Sequence, residues 1–192
     1  MTNFQEYKQK LKERLDKERF EHSLGTAGVA RDLASRYGYD EGKAYLAGLL
    51  HDYARGMSDR QLLQIAECNN LISHPVEKQV PVLLHGPVGS VLVHKELGIE
   101  DRGILDAISW HTTGFPGMDR LAEIVYLADI IEPSRNFDGI ERLRSLSIQN
   151  LHIAVIAAID CSIRYCLGKG LLIHPASIEA RNEMLGKINH AI

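Results

Sequence analysis

Apolar residues recur at helical spacing along nearly the whole chain, and no run of period-two alternation competes with them. Phe4, Tyr7, Leu11 and Leu15 make a first stripe; Leu24, Ala27, Ala30, Leu33, Ala34 and Tyr37 make a second, which Gly38 stops. Asp40 is placed to cap a third helix running through Leu46, Ala47 and Leu50 to Gly56, and Ser58 with Gln61 has the capping-box pattern for a fourth. Pro75 and Pro87 suit first-turn positions, and Gly98 suits a stop after Leu97. Further helical runs cover about 101–111, 119–132, 148–167 and 175–189, with irregular chain from Thr112 to Met118 and again after Pro133. Start and stop signals of this kind predict an all-α bundle.

With 192 residues, 45% of them hydrophobic, the chain can bury one substantial core but is short for two. It carries no repeat, low-complexity tract or linker, so residues 1–192 are expected to form a single domain. A formal net charge of -3 provides no basic field for a nucleic-acid polymer, and any anionic ligand would have to be held by local arginines or metal ions. Met1 to Phe20 is rich in Lys and Glu, and no stretch reaches about 18 uninterrupted apolar residues. A cytoplasmic protein without a membrane partner is the expectation. Cys68, Cys161 and Cys166 contain no CxxC pair, which disfavours both a disulfide framework and a thiolate zinc site; Cys161 and Cys166, in an apolar run, are expected to be buried.

The nine histidines are informative through their placement. His22, His51, His85 and His111 fall at or near helix ends, within reach of a shared cleft if the helices pack antiparallel. The dipeptide His51-Asp52 is weak alone, but it ends the small, apolar run Leu46 to Leu50 with two strong metal ligands. Adjacent helical residues point about 100° apart, so one ion at the helix edge could take both, or Asp52 could bridge two. Asp129 follows the stripe Leu121, Val125, Ala128, where a carboxylate would be desolvated and would need a cation, either a metal or an arginine. His22 and His111, each alone, would also suit a satisfied structural role. His74, His94, His152, His174 and His190 are assigned structural or surface positions.

The order His22, His51-Asp52, Asp129 resembles the H…HD…D signature of the HD superfamily of helical metal-dependent phosphohydrolases, and His85 and His111 extend it toward the two-metal members. The segments His51-Asp52-Tyr53-Ala54-Arg55, Leu84-His85-Gly86-Pro87, Trp110 to Gly114 and Leu127 to Arg135 are similar to the YqeK family over about His22 to His174. That resemblance implies an HD-domain helical bundle with a metal site between helices, holding iron or a similar metal. It also implies symmetrical hydrolysis of diadenosine tetraphosphate to two ADP. Arg55 stands where the resemblance leads one to expect lysine, which keeps the charge and changes the hydrogen-bond geometry.

Four imidazoles and two carboxylates are too rich in nitrogen for magnesium or calcium. They suit one or two transition-metal ions, iron, manganese, cobalt or zinc, and the resemblance puts iron first. In the preferred arrangement Asp52 bridges, His22, His51 and Asp129 complete one ion, and His85 and His111 hold the other. The nucleophile is then a metal-bound hydroxide, and no Ser or Cys nucleophile is required. Asp52, His85 and Arg55 form the expected catalytic set. Arg55 and Arg135 are candidates to clamp phosphate oxygens unless they are solvated surface arginines. Gly86 opens a helix with free N–H groups, and Thr112 and Thr113 could bond a phosphate or merely shape the turn. Base selectivity is expected near Phe115, Pro116, Phe137 and the helix at 148–167. The expected partner is a dinucleoside polyphosphate or another nucleotide. The rival readings are a nucleotidase or phosphatase on another nucleotide, a non-catalytic metal or nucleotide sensor, and a plain helical scaffold. The first stripe would serve a homodimer or cover the core.

Overall fold

The structure is a computed structural model that describes residues 4–189; His190 lies outside them. In chain order the helices are α1 (Phe4–Arg14), α2 (Lys17–Arg36), α3 (Glu41–Leu50), α4 (Asp59–Cys68), α5 (Val76–Gln79), a 3-10 turn (Pro81–Leu84), α6 (His85–Leu97), α7 (Arg102–Trp110), α8 (Arg120–Ile131), α9 (Ile140–Ser147), α10 (Leu151–Lys169) and α11 (Pro175–Asn189). The described residues contain no strand, and the fold is all-α.

Short polar side chains start most of these helices. Asp40 accepts from the Lys43 amide at 2.9 Å, Ser58 and Gln61 cap each other reciprocally, and Asp16, Asp101, Asp119 and Asn150 cap α2, α7, α8 and α10 in the same way. Each such cap contributes about 1 kcal/mol. Gly98, with φ +67°, closes α6 by donating its amide to the His94 carbonyl.

Three boundaries differ from the sequence pattern. The third helix stops at Leu50, not Gly56, because the chain tightens into i→i+3 turns: Tyr53 N–H to Leu50 O, Arg55 N–H to Asp52 O and Met57 N–H to Ala54 O. Irregular chain was expected after Pro133, yet α9 forms there, launched from Gly139 at φ +95° and anchored by buried Ile140 and Leu143. The run expected from 148 begins at Leu151, where Asn150 caps it.

The main core gathers around α8, which is apolar on nearly every side and buries Leu121, Ala122 and the whole run Ile124 to Ala128. Helices α2, α3, α7, α9 and α10 pack about it. Small residues let α2 and α3 approach closely: a Cβ at Gly48 would lie 3.1 Å from both Ala27 Cα and Ala30 Cβ. A smaller cluster of Ala54, Leu62, Ala66, Leu84 and Val88 joins α4, the 3-10 turn and α6. Leu11 and Leu15 of the first stripe are buried, with Phe4 and Tyr7 packed on the core, so α1 covers the bundle. Helix α10 has the length and hydropathy of a membrane span, but here it packs on α8, α9 and α11 through residues such as Ala154, Val155, Ala158 and Ile159. Cys161 and Cys166 were expected to be buried; both are half-buried, because they fall on the flank of α10 that faces a cleft.

Candidate metal centre

Three of the four clustered histidines are set by one local device. Each sits where a helical turn ends and turns its ring back, so that Nδ1–H donates to the carbonyl three residues earlier: His51 to Gly48 at 2.7 Å, His111 to Ile108 at 2.8 Å, and His85 to Val82. With Nδ1 as donor, Nε2 carries a lone pair, and all three Nε2 atoms face one another across the ends of α3, the 3-10 turn and α7. His22, on the buried face of α2, joins from the opposite side, with Nδ1 3.0 Å from Glu132 Oε1.

The inward nitrogens form two close pairs: His22 Nε2 lies 3.2 Å from His51 Nε2, and His85 Nε2 lies 2.9 Å from His111 Nε2. Lone pairs this close repel unless a cation lies beside them. Two imidazole nitrogens bound at about 2.1 Å and at right angles around one metal would be roughly 3 Å apart, so the spacing fits a transition-metal donor set. Asp52 stands between the pairs. Its Oδ1 is 3.1 Å from His85 Nε2 and 3.7 Å from His111 Nε2; its Oδ2 is 3.7 Å from His51 Nε2 and 3.9 Å from His22 Nε2. Asp129 Oδ1 adds a contact of 2.9 Å to His22 Nε2 and one of 3.7 Å to His51 Nε2. All six residues singled out in the sequence therefore meet in two halves that share Asp52, and the chemistry of the donors fits one or two metal ions.

Charge within this buried cluster is finely divided. Burial pushes the His51 pKa down to about 4 against the pull of Asp52, and burial also lowers His85. For His22 and His111 burial acts in the same direction, but the carboxylates of Asp129 and Asp52, respectively, outweigh it and raise both. Burial would raise Asp52 and Asp129; the surrounding imidazoles, with Arg135 for Asp129, hold both well below the usual carboxylate range.

Four of the six, Asp52, His85, His111 and Asp129, line a cleft of about 930 Å³ that Arg19, Arg55, Arg135, Arg142 and Arg164 also line. Arg55 is half-buried, and burial followed by the charge of neighbouring Arg19 lowers its pKa. Arg135 also lines the cleft, but its guanidinium binds Asp129 at 2.6 Å and the Asp129 carbonyl at 2.9 Å. Thr112 Oγ1 lies 3.1 Å from His111 Nε2 and 3.3 Å from His85 Nε2, while the Thr113 hydroxyl donates to the Gly114 carbonyl. Gly86 is not part of this lining. It is buried against α7, where a Cβ would come within 2.5 Å of the Ser109 carbonyl, so its missing side chain serves helix packing. Phe137 and one flank of α10 line the cleft; Phe115 instead packs on Trp110, with ring centroids 5.5 Å apart, and Pro116 is likewise outside the lining.

Of the remaining histidines, His94 bonds the Ile99 carbonyl, His152 pairs with Glu123, and His74 lies against His174, which borders the cleft beside Glu77. Two residues of the centre went unassigned in the sequence. Arg19 is one turn before His22 and reaches Asp52 Oδ2 at 3.4 Å; Glu132 is one turn after Asp129 and backs His22. Their three-residue spacing from a ligand was the available signal. Arg142 and Arg164 had none, since only packing of α9 and α10 brings them to the cleft.

Residues 19–134, which contain all six clustered side chains, match the HD domain family. The chain is 37% identical to the symmetrical bis(5'-nucleosyl)-tetraphosphatase of Bacillus subtilis (strain 168), over 86% of this chain and 88% of that protein. It is equally identical to the protein of the same name from Halalkalibacterium halodurans, over 92% and 94% of the two chains. A crystal structure from Clostridium acetobutylicum, described as a predicted HD superfamily hydrolase involved in NAD metabolism, superposes with a TM-score of 0.93 at 35% identity and covers 97% of this chain and 99% of that one. With its His22, His51-Asp52 and Asp129 gathered between α2, α3 and α8, this chain belongs to the HD domain family.

Proposed function

We propose that the chain is a symmetrical bis(5'-nucleosyl)-tetraphosphatase that hydrolyses diadenosine tetraphosphate to two ADP. The observation that carries this reading is a two-halved histidine and carboxylate cluster, four of whose residues open onto a cleft lined by arginines. The printed names of two relatives at 37% identity, both covered nearly end to end, select the substrate. His22, His51, Asp52 and Asp129 would hold one ion, and Asp52, His85 and His111 a second, with iron as the first choice and manganese, cobalt or zinc as alternatives. Such ions supply Lewis acidity and bring the pKa of water toward neutrality.

The chain itself supplies position and charge. Arg55, not paired with a carboxylate among the described residues, would take a non-bridging phosphate oxygen, with Arg19 beside it. Thr112 places a hydroxyl at the His85–His111 edge. Arg135, which also lines the cleft, holds the Asp129 carboxylate in position. An ADP leaving group departs as an anion, so no general acid is needed, and the arginines offset the charge that develops. The chain acts as one domain, in the cytoplasm.

Protein purified with minimal air exposure, assayed for bound metals and incubated with diadenosine tetraphosphate, tests this directly. ADP as the sole nucleotide product supports it. Metal-bearing protein that leaves this substrate intact but cleaves another nucleotide would move the reading to a related phosphohydrolase, a course for which the NAD-related description of the Clostridium protein gives a starting substrate.

A further inference from the structure

Three of the inward-facing imidazoles lean on neutral partners and one does not. His51, His85 and His111 give Nδ1–H to backbone carbonyls, whereas His22 Nδ1 lies 3.0 Å from the carboxylate of Glu132, itself only 1% exposed. Glu132 is held there by the Ser134 amide at 2.8 Å and by the Ser134 hydroxyl. Room for it comes from α2: a Cβ on Gly25 would sit 2.7 Å from Glu132 Oε2, so glycine at this position admits the carboxylate. An imidazole whose far N–H is given to a carboxylate is a more basic ligand than one that leans on an amide carbonyl.

The same half of the cluster also contains Asp129. The half formed by His85 and His111 has no carboxylate of its own beyond the shared Asp52, only the neutral Thr112 hydroxyl. Arg135, which binds Asp129 and lies 3.8 Å from Glu132, and Arg19, 3.4 Å from Asp52 Oδ2, offset the charge on this side, so what separates the halves is the donor set: Asp129 and a carboxylate-backed imidazole on one, neither on the other. We infer that the two halves are unequal metal sites: the His22–His51–Asp129 half binds tightly, the His85–His111 half binds weakly enough to exchange, and Glu132 is the positioning residue that sets the difference. This rests on the metal-dependent reading of the site.

Full-length protein stripped by a chelator and titrated with Mn²⁺ by equilibrium dialysis tests it without any activity assay. Two classes of one ion per chain, differing tenfold or more, are expected. Glu132→Gln keeps the size and removes the charge; it weakens the tight class by about 10–100-fold and leaves the weak class within a fewfold. His85→Ala removes the weak class alone. Two classes of equal affinity, or a Glu132→Gln loss shared by both, overturns the inference and leaves the metal-dependent reading standing. Absence of Mn²⁺ binding to the wild-type chain overturns that reading and the inference together. If Glu132→Gln does not fold, Ser134→Ala loosens the same carboxylate more gently: weakening confined to the tight class supports the assignment, and an effect on both classes or on neither overturns it.

Discussion

His85 and His111 face each other through Nε2 atoms 2.9 Å apart, yet neither can donate to the other, because each has given its Nδ1 proton to a carbonyl on its own turn. The Thr112 hydroxyl can donate to only one of the two rings, so a proton or a metal ion is needed to relieve the contact fully. Removing metal should therefore destabilise the protein: at a free metal concentration some thousandfold above Kd, bound metal contributes about 4 kcal/mol, so chelation should lower Tm by on the order of 10 °C. A thermal melt with and without chelator, repeated after metal is restored, measures this; an unchanged Tm contradicts a metal-bearing cluster.

Among the described residues Asp52 is the carboxylate that lies against both halves, and Asp52→Asn retains its size while removing the charge shared between four imidazoles. Hydrolysis of diadenosine tetraphosphate should fall by roughly 10²–10³-fold or more, the scale seen when one preorganised electrostatic element is lost. Steady-state kinetics together with a circular-dichroism spectrum separates this from misfolding.

Arg55 lines the cleft, and among the described residues its side chain makes no hydrogen bond or ion pair with the clustered ligands. Arg55→Ala should lower kcat/KM by about 10–100-fold, equivalent to losing one charge-assisted hydrogen bond of about 1.5–3 kcal/mol, with metal content unchanged. Arg55→Lys should recover part of the loss, since it restores the charge without the fork of donors. Loss of bound metal in Arg55→Ala would place the residue in the metal centre instead.

Protons and metal compete at His22 and His111. Burial works to lower both pKa values, and Asp129 and Asp52 more than compensate, so in the metal-free protein each proton stabilises the fold below the ordinary value near 6.5 and that contribution is lost as pH rises through the raised folded value. Metal must displace these protons. Apparent metal affinity should increase from about pH 6 to pH 8, with roughly one to two protons released per chain, read by calorimetry in buffers of different ionisation enthalpy. His51, pushed down to about 4 by burial, is already neutral in that range and contributes little.

Gly86→Ala should destabilise the fold by about 2 kcal/mol and lower Tm by roughly 4–8 °C, because its Cβ would press within 2.5 Å of the Ser109 carbonyl and 3.1 Å of the Ile108 carbonyl. Ile108 O is also the acceptor for His111 Nδ1, so the substitution should weaken metal binding along with stability. Melting curves and metal content of the purified variant check both effects.

Local rules made much of this protein legible before folding. Asp40, the Ser58–Gln61 pair and Gly98 mark helix ends through hydrogen bonds a few residues long, so the sequence alone determined where α3 and α4 begin and where α6 ends, and the helical period determined the all-α class. The six clustered residues were legible for a different reason: position drew attention to them, and the resemblance of their order to the H…HD…D signature joined them into one site. Tertiary structure alone decided the rest. That Glu132 backs His22 depends on α2 meeting the end of α8 over Gly25; that Gly86 serves packing depends on α6 meeting α7; that Arg142 and Arg164 reach the cleft depends on α9 and α10. These are contacts between segments distant in sequence, set by how apolar helix faces fit together; the three-residue spacing of Glu132 from Asp129 marks the residue but not the imidazole it backs.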